Sequence, residues 1–243
     1  MSVSDRKREL REEIWGLLEE KGVARFPRPA HGRIPNYEGS EAAARRILGT
    51  AEFRRADVVK VNPDYPQLEV RKGVLRSGKV LIMPSPRLRA GFLILDPERI
   101  PHGVLGKAAT IKDSFKFGKR TGLDGLPSVD IIVCGSVAVT KTGFRVGKGG
   151  GYSELEYAVL RELNLVDEET PIMTTVHDLQ IVEDAPTEEH DFTVDFIATP
   201  TRLLAAEGPR LRPSGVMWEE LTERRLEDMP ILKKLREKSS SSK

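Results

Sequence analysis

Six short apolar runs recur along this chain, and segments of helical period separate several of them. The runs are Asp57–Val61, Lys79–Met83, Gly91–Leu95, Val129–Cys134, Pro171–Thr175 and Val194–Thr199. A strand covered on both faces reads as nearly continuous apolar sequence, whereas a half-solvated strand alternates. Between the runs, Pro66–Arg76, Gly106–Phe117 and Ser153–Leu163 read as helices. Strands alternating with helices predict an α/β domain whose mostly parallel sheet is covered by helices on both faces.

The flanking segments are helical too. Leu10, Ile14, Leu17 and Leu18 recur at helical spacing among charges, so Asp5–Lys21 reads as an amphipathic helix. A loop carrying Pro27, Pro29, His31, Gly32 and Pro35 follows, and Ser40 is placed to cap a helix over Ala42–Leu48. The main domain is expected over residues 1–204, with 205–243 as a carboxy-terminal extension. In that extension Gly208–Gly215 is loop-like, Trp218–Leu226 and Ile231–Leu235 are short helices, and Ser239–Lys243 is a disordered tail.

Thirty-nine basic residues stand against 37 acidic ones in 243 residues, a net charge of +2. So even a balance gives no footprint of a dedicated nucleic-acid binder. One local stretch departs from it: Lys107, Lys112, Lys116, Lys119 and Arg120, with Phe115 and Phe117 interleaved. The stretch has the charge to hold a polyglutamate tail, a nucleotide or RNA, although a solvated helix face is the commoner outcome. The single cysteine, Cys134, closes an apolar run and reads as a core residue rather than a nucleophile. No Cys/His spacing suits zinc, and no run approaches the roughly 20 apolar residues that span a bilayer. The amino terminus, charged from Asp5 onward, has no signal-peptide run, so a cytoplasmic monomer or homodimer is expected.

The strongest chemical signal follows the run at Val129. Arg145-Val-Gly-Lys-Gly-Gly-Gly-Tyr152 opens the helix at Ser153. Glycines let the backbone approach a ligand, and the free N–H groups of a helix start favour phosphate. Lys148 and Arg145 add positive charge. This is neither a Walker A loop, since no Gly-Lys here precedes Ser or Thr, nor a dinucleotide fingerprint, since Tyr152 stands where its last Gly belongs. His177-Asp178 and His190-Asp191 lack metal-ligand spacing and read as structural hydrogen-bonding pairs. Trp15 and Trp218 sit in helical apolar patterns and are expected to pack.

The glycine loop resembles the R-L-G-x-G-G-G-Y loop of the 5-formyltetrahydrofolate cyclo-ligase (methenyltetrahydrofolate synthetase) family. Asp130–Val139 resembles the strand and turn before it. Gln180, Pro186, Glu188, His190-Asp191, Val194-Asp195 and Thr199 resemble the family's Q…P-x-E-x-H-D…V-D…T block. Lys7-Arg-Glu-Leu-Arg11 is similar to its first helix, and Gly78–Pro84 with Pro86-Arg87 to its G-K-x-V-x-x-P strand and P-R-Y element. The likeness runs from about Asp5 to Arg202. It implies a three-layer α/β/α domain of the ribose-phosphate isomerase and CoA-transferase type. It also implies an ATP-dependent reaction with Mg²⁺ and a folate substrate: ATP phosphorylates the formyl oxygen on N5, N10 closes on that carbon, and phosphate leaves as 5,10-methenyltetrahydrofolate forms.

The resemblance also implies residue roles. Lys7, Arg11, Arg145 and Tyr152 would serve the reaction, and Gly147, Lys148, Gly149, Gly150 and Gly151 would hold the nucleotide phosphates. Glu69 and Arg87 would meet the pterin substrate, while Glu154 and Asp191 would help to place the metal. Ile34-Pro-Asn-Tyr37, Val59–Pro63, Pro84–Arg89 and Gly147–Tyr157 resemble a divergent branch, the methenyltetrahydrofolate synthetase domain-containing proteins, and two departures separate the chain from the main family. The family's Y-Y-D-R is Tyr152-Ser-Glu-Leu155 here, and Lys116–Asp124 replaces its G-I-x-E-P. A non-catalytic nucleotide-, pterin- or RNA-binding protein on the same fold is therefore the alternative. A sugar-phosphate or CoA-ester enzyme, with Glu69 or Glu154 as its carboxylate, is a third.

Overall fold

The computed structural model describes residues 1–241. Its centre is an eight-stranded sheet, ordered Leu203–Ala205, Phe196–Ala198, Ile172–Thr175, Ile131–Gly135, Val58–Val61, Val80–Pro84, Phe92–Leu95 and Lys119–Thr121. The five strands from Phe196–Ala198 to Val80–Pro84 run parallel, and the three remaining pairings are antiparallel. The six apolar runs all became strands of this sheet. The two outermost strands, Lys119–Thr121 and Leu203–Ala205, did not announce themselves because an edge is only half buried.

Residue parity divides the core. Ile131 and Val133 pack to one side with the helices Ser40–Leu48 and Leu68–Arg76, while Ile132 and Cys134 pack to the other with the helix Tyr152–Glu162. Leu81 and Met83 against Ile82 repeat the split. Burial pushes the Cys134 thiol pKa up, as befits a core residue. The carboxy-terminal segment joins this core: Leu226, Met229, Ile231, Leu232 and Leu235 are buried in one cluster with Phe92 and Ile132.

A third cluster seats the first helix, Val3–Glu20, on a small sheet of Ile181–Val182, Ala138–Thr140 and Arg145–Val146. Ile14, Trp15 and Leu18 make its buried stripe with Val137, Ala138 and Val146. Arg11 and Lys7 continue that stripe one and two turns earlier, since positions four apart share a helix face.

Several boundaries differ from the sequence expectation. Gly39, not Ser40, caps the second helix, with a left-handed backbone (φ 81°) and no room for a side chain, because a Cβ would stand 2.8 Å from Pro200. The helix expected over Gly106–Phe117 breaks at Thr110, whose hydroxyl accepts the Asp113 N–H at 3.2 Å and starts Ile111–Phe117 anew. Trp218 begins a single 3₁₀ turn, Trp218–Glu220, and the next helix is Glu223–Asp228. The last helix, Pro230–Ser241, carries Ser239–Ser241 of the expected tail, while 242 and 243 lie outside the described residues.

Candidate functional site

From the strand Val58–Val61 the chain works outward to one edge of the sheet, then returns at Ile131–Gly135 and works outward to the other. Ligands of open α/β sheets bind outside the carboxyl ends of the strands at such a reversal. A cleft of about 760 Å³ lies there. Asn62–Asp64, the turn Ser85–Arg87, the glycine loop and the first helix line it, as do Glu188, His190 and Asp191.

The loop leaves a hairpin, not the central strand directly: Ala138–Thr140 pairs antiparallel with Arg145–Val146. Gly149 (φ 92°) and Gly151 (φ 61°) then take left-handed backbone, and the helix Tyr152–Glu162 starts with no side-chain cap. Its first N–H groups and the positive end of its dipole therefore stand open at the loop.

Sorting the cations around the loop by partner separates two sets. Lys7 Nζ donates to Asp191 Oδ2 at 2.5 Å and to Glu188 Oε2 at 2.7 Å. Its hydrogen bond, against a smaller desolvation cost, holds the Glu188 carboxyl below its ordinary pKa. Arg145 Nη1 donates to Glu154 Oε1 at 2.5 Å and Nη2 to the Gly135 carbonyl at 3.1 Å, with the Phe192 ring 4.7 Å from the guanidinium carbon. Burial is the largest influence on the Glu154 carboxylate and raises its pKa, yet the charge of Arg145, the hydrogen bonds it receives and the charge of Lys7 together hold the pKa below the usual value. Lys148 Nζ donates to Asp64 Oδ1 at 2.9 Å.

The second set has no carboxylate partner among the described residues. Arg11 Nε donates to the Gly147 carbonyl at 2.7 Å, and burial lowers its pKa against the pull of Glu154, Asp191 and Glu188. Arg87 lines the cleft on a left-handed backbone (φ 54°), followed by Leu88 in the same region (φ 51°). Non-glycine residues held there cost about 1–3 kcal/mol each, and such strain clusters at ligand sites. Arg225, from the helix Glu223–Asp228, reaches the Gly150 carbonyl and lies over the Tyr152 ring at 4.4 Å.

The structure thus brings Lys7, Arg11, Arg87, Arg145, Tyr152, Glu154, Asp191 and the whole loop Gly147–Gly151 to one cleft. Glu69 is left out: it sits in the first turn of the helix Leu68–Arg76, bound to Lys72 at 2.6 Å. Glu154 and Asp191, expected near a metal, each hold a cation of the protein. Among the described residues no group of three or more His, Cys, Asp or Glu is placed to hold a metal ion. The basic stretch from Lys107 is split over two helices and an edge strand. Its Lys116 pairs with Asp113 at 2.8 Å, and Arg120 lies over Phe115. No described helix is long and apolar enough to cross a membrane.

Sequence reasoning missed a buried polar network behind the cleft. Lys60 Nζ, 1% exposed, donates to Glu156 Oε2 and Asn62 Oδ1, both at 2.6 Å. Asn62 Nδ2 in turn donates to Ser153 Oγ at 2.7 Å. The network ties the end of the central strand to the first turn after the loop. The charged residue inside Val58-Val-Lys-Val61 was its only local signal.

Residues 3–200 match the 5-formyltetrahydrofolate cyclo-ligase family, and the chain belongs to it. It is 44% identical over 239 residues to the human methenyltetrahydrofolate synthase domain-containing protein, and 42% identical over 240 residues to the mouse protein of that name. Each alignment takes in 97% of this chain; it takes in 62% of the human protein and 64% of the mouse one, so the chain spans about three fifths of these relatives. The fold is that of the Aquifex aeolicus 5,10-methenyltetrahydrofolate synthetase (TM-score 0.51, 18% identity, 91% of this chain and all of that one).

Proposed function

We propose that the chain is an ATP-dependent 5-formyltetrahydrofolate cyclo-ligase that forms 5,10-methenyltetrahydrofolate with release of ADP and phosphate. The observation that carries this reading is the open glycine loop at the sheet's reversal point, faced by Arg11 and Arg87, which have no carboxylate partners among the described residues. Family membership narrows the chemistry from anion binding to phosphoryl transfer onto a formyl oxygen.

The chain's own groups take distinct roles in it. Loop N–H groups and Arg11 hold the phosphate chain, and Arg87 faces it from across the cleft. Lys7 has spent two of its three donors on Asp191 and Glu188 and keeps one for the transferred phosphoryl group. Arg145 lies under the loop rather than at its mouth, so it positions the loop instead of touching the nucleotide. Charge neutralisation and alignment of this kind are the main protein contribution to phosphoryl transfer. Tyr152 and the turn at Arg87 border the volume left for the pterin. Glu69 has no part in the reading.

Mg²⁺ gains no protein site in this account. The expected ligands Glu154 and Asp191 are spent on Arg145 and Lys7, so the metal enters on the nucleotide's own phosphates. In this reading the protein works in the cytoplasm. Isothermal titration of ATP–Mg²⁺ and of 5-formyltetrahydrofolate, each alone, tests the reading. Both should bind, and ATP binding should weaken about tenfold or more in Arg11→Ala, the loss of one charge-assisted contact. Absence of ATP binding in the parent protein would refute it.

A further inference from the structure

Arg225 comes from the segment after residue 200, where the family match ends, and yet it is built into the loop. Its helix, Glu223–Asp228, is capped by Thr222, whose hydroxyl accepts the Arg225 N–H at 3.2 Å. Leu226 and Met229 anchor that helix in the core, and His190 Nδ1 stands 2.8 Å from Glu220 Oε2, clasping the segment to the block that holds Lys7. The side chain is therefore fixed at both ends. Nη2 is spent on the Gly150 carbonyl, and the guanidinium plane rests on Tyr152. A Cβ on Gly151 would stand 3.2 Å from Nη2, so the glycine leaves the guanidinium the space it occupies.

Charge is what remains unexplained by packing. Lys7, Arg145 and Lys148, beneath or beside the loop, have carboxylates within 2.9 Å, whereas Arg11 donates to the Gly147 carbonyl. Arg225 has none among the described residues, and it lines both the main cleft and a second pocket of about 250 Å³ behind it. Leu155, Met217 and Leu221 line that second pocket beside two carboxylates, but Glu154 is paired with Arg145 and Glu220 with His190, and neither forms an ion pair with Arg225. A half-buried guanidinium with unused N–H donors and no counter-ion is set to take an anion, and its planar fork suits phosphate oxygens.

We propose that Arg225 is a polyphosphate-binding residue, donating from its unused N–H groups to the phosphate chain of a nucleotide seated on Gly147–Gly151. The carboxy-terminal segment thereby completes the anion site. This rests on the loop being a phosphate site, and it adds a ligand contact from outside the family-matched region.

Inorganic tripolyphosphate titrated into the full chain isolates the anion contact from any nucleobase or pterin. Arg225→Gln should weaken its binding about tenfold, the worth of one charge-assisted hydrogen bond, while Arg225→Lys should stay within about threefold of the parent. The Gln variant should also lose part of the salt dependence of binding. On the unmodified protein, phenylglyoxal should label Arg225, and saturating tripolyphosphate should protect it, read by peptide mass spectrometry. Unchanged affinity in Arg225→Gln, equal losses in Gln and Lys, or labelling indifferent to tripolyphosphate would each overturn the proposal. A parent protein that binds no tripolyphosphate would overturn the loop reading itself, a result distinct from a parent that binds and a Gln variant that binds equally well.

Discussion

Arg145 and Glu154 form an ion pair of 2.5 Å whose side chains are 1% and 11% exposed, and the five residues Gly147–Gly151 arch over it. The pair closes the two ends of the loop from beneath. A Cβ on Gly147 would stand 2.9 Å from Arg145 Nη2, so the loop backbone rests directly on the guanidinium.

Removing the carboxylate should therefore undo the loop more than it alters the surface. Glu154→Gln leaves Arg145 buried without its counter-charge, a change that costs about 3–5 kcal/mol when a buried pair is broken. Urea denaturation followed by circular dichroism measures it. A loss below about 1 kcal/mol, the scale of exposed pairs, would contradict the staple.

Lys60 and Glu156 behave as a second buried pair, and burial raises the Glu156 pKa against the pull of Lys60. Lys60→Met alone should cost about 3–5 kcal/mol, and adding Glu156→Leu should restore most of that loss. A double-mutant cycle in urea reads the coupling directly. Additive losses would show that the two side chains act independently.

Gly149 and Gly16 make a matched contrast. At φ 92°, Gly149→Ala forces a side chain into left-handed backbone at about 1–3 kcal/mol, and its Cβ would stand 3.3 Å from the Arg11 guanidinium. ATP affinity should fall with stability. Gly16→Ala lies within the first helix with nothing within 4 Å of the new Cβ, and should stabilise by about 0.5–1 kcal/mol with ATP affinity unchanged. Thermal melts with and without ATP distinguish the two.

Acid should loosen the first helix at a definite point. Glu188 has its pKa lowered in the folded protein, chiefly by the hydrogen bond from Lys7. Its stabilising contribution is thus present above the ordinary value of 4.5 and is lost as pH falls through the depressed one. The melting temperature of the parent should drop more steeply than that of Glu188→Gln below about pH 4.5. Parallel curves would remove Glu188 from the account.

How much of this could be read in the sequence depended on range. Val129–Cys134 and its counterparts were legible because strands covered on both faces must be apolar throughout. Lys119–Thr121 and Leu203–Ala205 were not, because an edge strand can expose most of its residues. The glycine loop declared itself locally, through residues adjacent in the chain. Partners did not: Lys60 meets Glu156 across 96 positions, and Arg225 meets Gly150 across 75. Likewise Lys148 and Arg145 read as charges for a ligand, and only the fold shows Asp64 and Glu154 already facing them. Glu69 carried an acidic side chain in a plausible place, and the helix turned it toward Lys72 instead.

The most direct measurement is absorbance of the methenyl product after the protein is mixed with ATP, Mg²⁺ and 5-formyltetrahydrofolate together. The account predicts product appearing with one ADP for each molecule formed, and its disappearance when Lys7 or Arg11 is replaced by Ala. ATP and folate that both bind while no product forms would contradict it, and would leave the cleft as a binding site on a repurposed fold.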